Sequence, residues 1–422
     1  MNRGHWITAV CLITFLAGCS ADPPTERPYE IGNMYGVNDE EFRQTVGNLL
    51  GPSIIAGNSA TTLVNGNEIF PSMMEAIRSA KKTITLETYI YWRGQIGQEF
   101  ADALSSRAAH GVKVYVILDS FGSDRIDPEY LNEMTTAGAK VVYYHPLRWY
   151  DIGWAKKFNN RTHRKIMVTD GTVAFIGGVG IADEWMGDAL DSQHYRDTHY
   201  RVEGPIVSQI QAAFVDNWME TTGEVLHGDE FFPRLEQTGQ LWAQLFKSSP
   251  NGGSESMELM FLLSIAAAQK NIRISTPYFV PDDLTVKMLL SARRRGVMVQ
   301  IIVPGSTIDE KIVRSASRAR WGPLLEAGVQ ILEYGPAMYH SKLIIVDDAW
   351  VSIGSANVDN RSFRLNDEAN LNVLDAGFAK KQIEMFATDL AHSKAITLEA
   401  WKHRPLAEKA TESFVTIFGW LM

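Results

Sequence analysis

The sequence predicts a mixed α/β protein made of two duplicated halves, packed together around one shared site. Three observations carry that prediction. The phrase HRKIMVTDGTVAFIGG at residues 163–178 returns as HSKLIIVDDAWVSIGS at 340–355. Apolar, β-branched runs alternate with helical segments in both regions, the pattern of strands and helices in one layer system. The runs that precede each phrase also match one another in the same order, the mark of an internal repeat.

Taken from the N-terminus, MNRGHWITAVCLITFLAGCS places Arg3 before an apolar run from Trp6 to Ala17 and then Leu16-Ala17-Gly18-Cys19. The run is short of the ~20 residues that span a bilayer, so it reads as an export signal over residues 1–18. Leu16–Cys19 resembles the bacterial lipoprotein signal, which implies cleavage before Cys19 and a lipidated N-terminus facing the periplasm or the exterior. Cys11 and Cys19 are the two cysteines, so the processed chain would keep one and form no internal disulfide. Residues 19–45, polar and Pro-rich at the start, read as a linker.

The first half is expected over 46–230 and the second over 231–422, with the polar, turn-rich stretch around Leu226–Gln240 between them. SAKKTITLETYIY (79–91) aligns with AAQKNIRISTPYF (267–279), each a helix end followed by an apolar strand. LSSRAAHGVKVYVI (104–117) aligns with LLSARRRGVMVQIIV (289–303), each a helix closed by Gly111 or Gly296 before a β-branched strand. AGAKVVYYHP at 137 aligns with AGVQILEYGP at 327, and the two opening phrases complete the series as strand, turn, strand.

Composition narrows the function. Hydrophobic residues make up 45% of the 422 and charged residues 21%, which is ordinary for a folded globular chain. Forty Lys and Arg stand against 49 Asp and Glu, a net charge of -9, which argues against a nucleic-acid partner.

The repeated phrase reduces to His, any residue, Lys, four residues, Asp: His163, Lys165, Asp170 and His340, Lys342, Asp347. On a strand, residues i and i+2 face the same side, so each His shares a space with its Lys. Each phrase runs into a Gly-rich turn, GGVG from Gly177 and GSAN from Gly354. Such turns remove side-chain bulk and expose backbone N–H groups, and Ser355 and Asn357 add donors for an anion. Two lysines to neutralise phosphoryl oxygens, one imidazole to attack phosphorus and another to protonate the leaving oxygen make a phosphate site that requires no metal or other cofactor. Neither half holds that set alone.

The duplicated HxKxxxxD followed by a Gly-rich turn resembles the signature of the phospholipase D superfamily. TPYFVPDD at 276, EAGVQILEYGPAMYHSK at 326, IGSANVDNRSFRLNDEAN at 353 and DLAHSKAITLEAWKHRP at 389 are similar, more narrowly, to bacterial cardiolipin synthases. The resemblance implies a covalent phosphohistidine on His163, with His340 as general acid and then base. It implies that Lys165, Lys342 and Asn357 hold the phosphoryl oxygens, and it counts Asp170 and Asp347 in the catalytic set with them, as residues that support the motif without touching substrate. It also implies an acidic partner for each histidine downstream of its motif. Asp197 and Glu368 fall at suitable distances, and Asp367 competes with Glu368. The first turn departs from the pattern, with Gly180 where the second has Asn357, so one of two amide donors is missing.

The implied partners are membrane phospholipids, with phosphatidylglycerol as the substrate of a phosphatidyltransferase; the alternative is a hydrolytic phospholipase D that releases phosphatidic acid. Between the third repeat match and His163, the first half carries an insertion, LRWYDIGWAKKFNNRT (147–162), absent from the second. Its aromatics Trp149, Tyr150, Trp154 and Phe158 interleave with Arg148, Lys156, Lys157 and Arg161, a mixture suited to a lipid headgroup surface or to a small core beneath the loop.

Overall fold

In both halves the alternating apolar runs become strands, and the loops between them set where the histidines sit. The computed structural model describes residues 29–32, 35–146, 159–250, 256–406, 408, 409, 411 and 412. Cys19, with the rest of the export segment, lies outside the described residues. The first half contains β1 (Ile55–Val64), β2 (Thr83–Thr88), β3 (Lys113–Asp119), β4 (Lys140–Tyr144), β5 (Ile166–Thr169), β6 (Val173–Gly177), β7 (Tyr195–Arg196) and β8 (Thr198–Glu203). The second contains β9 (Leu241–Ser248), β10 (Asn271–Ser275), β11 (Met298–Pro304), β12 (Gln330–Tyr334), β13 (Met338–Tyr339), β14 (Leu343–Val346), β15 (Trp350–Gly354), β16 (Glu368–Leu374) and β17 (Ser393–Ala395). No helix or strand occurs between Gly223 and Gln240.

The strands follow one another as β17-β12-β11-β10-β14-β15-β16-β9-β1-β8-β6-β5-β2-β3-β4. Outward from the β1–β9 seam this order is a palindrome, with β17 added at one edge. In each arm the outer three strands run parallel (β2-β3-β4 and β10-β11-β12), since helical crossovers join them. The crossover helices Gln95–Ala109 and Asp283–Arg294 are followed by Gly111 at φ 86° and Gly296 at φ 88°, a left-handed turn that only glycine adopts without strain. The inner strands pair antiparallel, and the phrases fold as the hairpins β5–β6 and β14–β15.

The halves meet along the sheet and in the core. Backbone pairing joins β1 to β9 at Ile55↔Ala243 and Asn58↔Leu241. One apolar cluster also holds Ile166, Val168 and Ile176 of the first half together with Leu343, Ile345, Val351 and Ile353 of the second. Burial of that shared face is the main driving force for docking the halves. A second cluster around Ile77, Phe100, Leu104 and Val116 belongs to the first half.

One boundary is corrected. The linker expected over 19–45 ends earlier, because Glu40–Leu49 is a helix whose Phe42 and Val46, four residues apart on one face, are buried. Phe42 packs edge-on against Trp350 at 5.1 Å, so this segment is part of the core. Among the described residues no helix is long and apolar enough to cross a membrane.

Candidate active site

Each histidine sits where a strand of one half meets a strand of the other. Met338 and Tyr339 pair in parallel with Tyr195 and Arg196, and Thr162 bridges Asp367 in the same sense. The backbone N–H of His163 donates to the Asp367 carbonyl at 2.9 Å, and that of His340 donates to the Arg196 carbonyl at 2.8 Å. Those contacts place each imidazole beside the next residue of the opposite half. His163 Nδ1 lies 2.9 and 3.0 Å from the two Glu368 carboxylate oxygens. His340 Nδ1 lies 2.6 Å from Asp197 Oδ2. A carboxylate accepts and does not donate, so each Nδ1 carries the proton; Nε2 of His163 is left for substrate, while Nε2 of His340 lies 3.2 Å from Lys342 Nζ.

The acidic partners predicted downstream of each motif are thus present, but they cross over: Asp197 of the first half serves His340, and Glu368 of the second serves His163. Asp367 is taken by the Tyr144 hydroxyl, which donates to it at 2.5 Å. Glu368 and Asp197 are fully buried. Burial alone would raise both carboxyls, yet His163 and Lys165 hold Glu368 down to about 2, and His340 and Lys342 hold Asp197 below its usual range.

Lys165 and Lys342 are buried, and each Nζ donates to the carbonyl of its own histidine at 2.7 Å. Burial pushes Lys165 down to about 7 and Lys342 to about 8, so a phosphodiester anion entering beside them would favour their charged forms. Burial, opposed by Glu368, takes the His163 imidazole down to about 4. Burial and then Lys342 also lower His340.

His163, Lys165, His340 and Asn357 line one cavity of about 640 Å³. Its wall also carries Tyr89, edge-on to His163 at 5.2 Å, and Trp185 and Tyr195, at 5.3 and 5.7 Å from His340. Charge is divided across it. Arg361 reaches the Asn159 carbonyl, four residues before His163. Glu184 lies next to Trp185, and Asp309 accepts from the Tyr278 hydroxyl at 2.7 Å. Burial pushes the Asp359 carboxyl, also on the wall, up to about 7. Among the described residues no group of three or more His, Cys, Asp or Glu side chains could hold a metal ion.

Several assignments read from the motif are revised by the geometry. Asp170 accepts backbone N–H bonds from Lys81, Lys82 and Thr83, and Asp347 from Gln269, Lys270 and Asn271. Both stand at the far end of the strand from the histidine, in left-handed turns at φ 53° and 51°, and so tie the hairpin to β2 or β10 instead of acting as catalytic residues. Ser355 spends its hydroxyl on Glu368, 2.5 Å away, and not on a ligand anion. The glycines do not form a backbone cradle at their first positions. The N–H groups of Gly178 and Ser355 are bonded to Thr198 and Ala369. A Cβ at Gly177 would come within 2.6 Å of His199, and one at Gly178 within 2.5 Å of Asp197. Small residues are needed there to admit the strand that carries the acid.

Arg161, counted in the insertion with a lipid headgroup surface or a small core as its two readings, is buried in a two-pronged pair with Asp119 at 2.9 to 3.1 Å. The aromatic and basic positions of the insertion from 147 to 158 lie outside the described residues, as does the C-terminal FVTIFGWLM. Sequence reasoning missed Tyr89, Trp185, Tyr195, Asp359 and Ser362. The repeat itself held a signal for two of them, since Trp185 follows Gly180 by five residues as Ser362 follows Asn357.

Two buried histidine–carboxylate pairs with two lysines, assembled from a duplicated motif around one cavity, define the phospholipase D type of site. The family model described as cardiolipin synthase, PLD-like domain, matches residues 73–218 and 262–390, one segment in each half. The chain belongs to this family. It is 35% identical over 354 residues to cardiolipin synthase 2 of Bacillus anthracis, covering 83% of this chain and 68% of that protein. It is 36% identical over 367 residues to a cardiolipin synthase of Alkalihalophilus pseudofirmus, covering 86% and 72%. The crystal structure of phosphatidylserine synthase from Haemophilus influenzae matches with a TM-score of 0.68, covering 90% of this chain and 100% of that one at 15% identity, a likeness of fold.

Proposed function

We propose that the protein is a phosphatidyltransferase that makes cardiolipin from two molecules of phosphatidylglycerol. The observation that carries this reading is the pair of imidazoles held at Nδ1 by carboxylates of the opposite half, which fixes the proton of each on that nitrogen. His163, kept neutral by burial, attacks phosphorus through Nε2 while His340 donates a proton to the glycerol oxygen, so the P–O bond breaks and free glycerol leaves. The hydroxyl of the second lipid then gives its proton to His340 and attacks phosphorus. The P–N bond breaks and neutral His163 is restored. Lys165 and Lys342 neutralise the phosphoryl oxygens, and the Asn357 amide donates to them. Carboxylates Glu184 and Asp309, with the hydroxyls of Tyr195 and Tyr278, offer hydrogen-bond partners for a glycerol headgroup.

Incubation of the purified protein with phosphatidylglycerol tests the proposal. Cardiolipin plus glycerol is expected. Phosphatidic acid plus glycerol alone would make the enzyme a hydrolase, and no glycerol release would remove the reading altogether. The N-terminal segment supports export and anchoring to the bacterial envelope through Cys19. Labelled fatty acid should enter the wild-type chain and be absent from Cys19→Ala; equal labelling of both would contradict the anchor.

A further inference from the structure

Equivalent hydrogen bonds and bridges align the two halves around the site. The Asp170 N–H donates to the Thr83 carbonyl as the Asp347 N–H does to Asn271. Tyr91 bridges Ile181 as Phe279 bridges Val358. Gly180 therefore corresponds to Asn357, and Trp185 to Ser362. On the second-half side Ser362 donates its hydroxyl to Glu368 Oε1 at 2.7 Å and accepts from the Asn357 backbone N–H at 3.0 Å. On the first-half side Trp185, buried to 2% exposure, donates its indole N–H to Asp197 Oδ2 at 3.0 Å and packs T-shaped against His340 with ring centroids 5.3 Å apart. A Cβ at position 180 would come within 2.9 Å of Ile90 Cβ and 3.2 Å of the Trp185 ring. The volume that an Asn side chain would need at 180 is filled by these two residues.

We propose that Trp185 is the positioning residue of the His340–Asp197 pair, doing with one indole what a small hydroxyl does for His163–Glu368, and that Gly180 is glycine to make room for it. The indole N–H fixes which way the Asp197 carboxylate faces, and the T-shaped ring contact fixes the plane of the imidazole, so that His340 Nε2 stays aimed at the oxygen that must gain and then lose a proton. The assignment of that proton transfer rests on the function proposed above. The hydrogen bond and ring contact from which the positioning is argued do not depend on it.

The test removes the donor and keeps one aromatic ring. Trp185→Phe should lower the rate constant for glycerol release from phosphatidylglycerol by about 10- to 100-fold, the effect of removing one of the two donors that share Asp197 Oδ2, with KM little changed. Because Trp185 acts through Asp197, the double variant Trp185→Phe with Asp197→Asn should be no slower than Asp197→Asn alone. Ser362→Ala, acting on the other histidine, should combine multiplicatively with Trp185→Phe. A Trp185→Phe enzyme with the wild-type rate constant, or one whose loss multiplies with that of Asp197→Asn, would overturn the proposal. The ¹⁵N imidazole resonances of His340 give a readout independent of turnover. They should move in Trp185→Phe while those of His163 stay, and unmoved His340 resonances would count against the proposal. Absent glycerol release by wild type, by contrast, would remove the functional reading and leave the spectral result to decide the positioning.

Discussion

His163 and His340 occupy equivalent positions in the two halves, yet their surroundings are built from different materials. Glu368 touches His163 with both oxygens and accepts from the hydroxyls of Ser355 and Ser362. Asp197 touches His340 through one oxygen, which also accepts the Trp185 indole, while the other accepts the Thr198 backbone N–H. Lys342 Nζ lies 3.1 and 3.2 Å from the two ring nitrogens of His340, whereas Lys165 Nζ stands over the Tyr89 ring at 5.3 Å. Duplication supplied two identical tools, and the residues around them gave each a separate task. A shared phosphorus needs one imidazole without a proton and one with it.

Removing either tool gives the largest expected effect. His163→Ala and His340→Ala should each lower turnover by about 10⁴-fold or more, and the double variant should be little worse than either single, since the two act as a unit. Multiplicative losses would break the picture of one joint site.

Removing the carboxylates comes next. Glu368→Gln and Asp197→Asn keep shape but no longer fix the proton on Nδ1, and each should cost roughly 10³-fold in kcat, by analogy with other oriented histidines. Glu368→Asp sharpens the comparison, because the shorter side chain loses the two-pronged contact with His163 while the His340 pair is untouched. Equal losses from Glu368→Asp and Glu368→Gln, at unchanged stability, would show that reach matters as much as charge.

A pH series separates the two environments without mutation. On the acid side kcat/KM should fall as pH approaches 4, where His163 gains a proton and loses its attacking lone pair. On the alkaline side it should fall as His340, itself lowered, loses its proton, and further through 7 to 8 as Lys165 and Lys342 discharge. The maximum is expected on the mildly acidic side of neutrality, and a flat profile from pH 5 to 9 would contradict the division of roles.

The smallest effects should come from Asp170→Asn and Asp347→Asn. Each weakens backbone bonds that hold a hairpin to its neighbour, so the thermal midpoint should drop by a few degrees with kcat of the folded enzyme retained. A large loss of kcat at full stability would return these aspartates to the catalytic set.

How far the sequence revealed this arrangement depended on distance along the chain. The phrases around His163 and His340, the strands before them and the glycines after the crossover helices are local patterns, and local patterns were readable. The crossing of Asp197 to His340 and of Glu368 to His163 was hidden, because it depends on pairing between segments some 140 to 200 residues apart, which no periodicity encodes. Asp170 and Asp347 were legible as motif members, but their task was misplaced in the catalytic set; a carboxylate that caps three backbone N–H groups and one that binds substrate look alike in a one-dimensional pattern. The burial of Arg161 required Asp119, 42 positions upstream, and the helix at Glu40–Leu49 required Trp350 to receive Phe42.

The most direct test of the unequal histidines is a covalent trap. Phosphatidylglycerol labelled at phosphorus, mixed with enzyme and quenched rapidly in alkali to preserve a phosphoramidate, should leave label on His163 in the wild type and on His163 again in Asp197→Asn, where the second step is slowed. The label should be absent from His163→Ala. Label recovered on His340, or persisting in His163→Ala, would contradict the account and reverse the roles of the two halves.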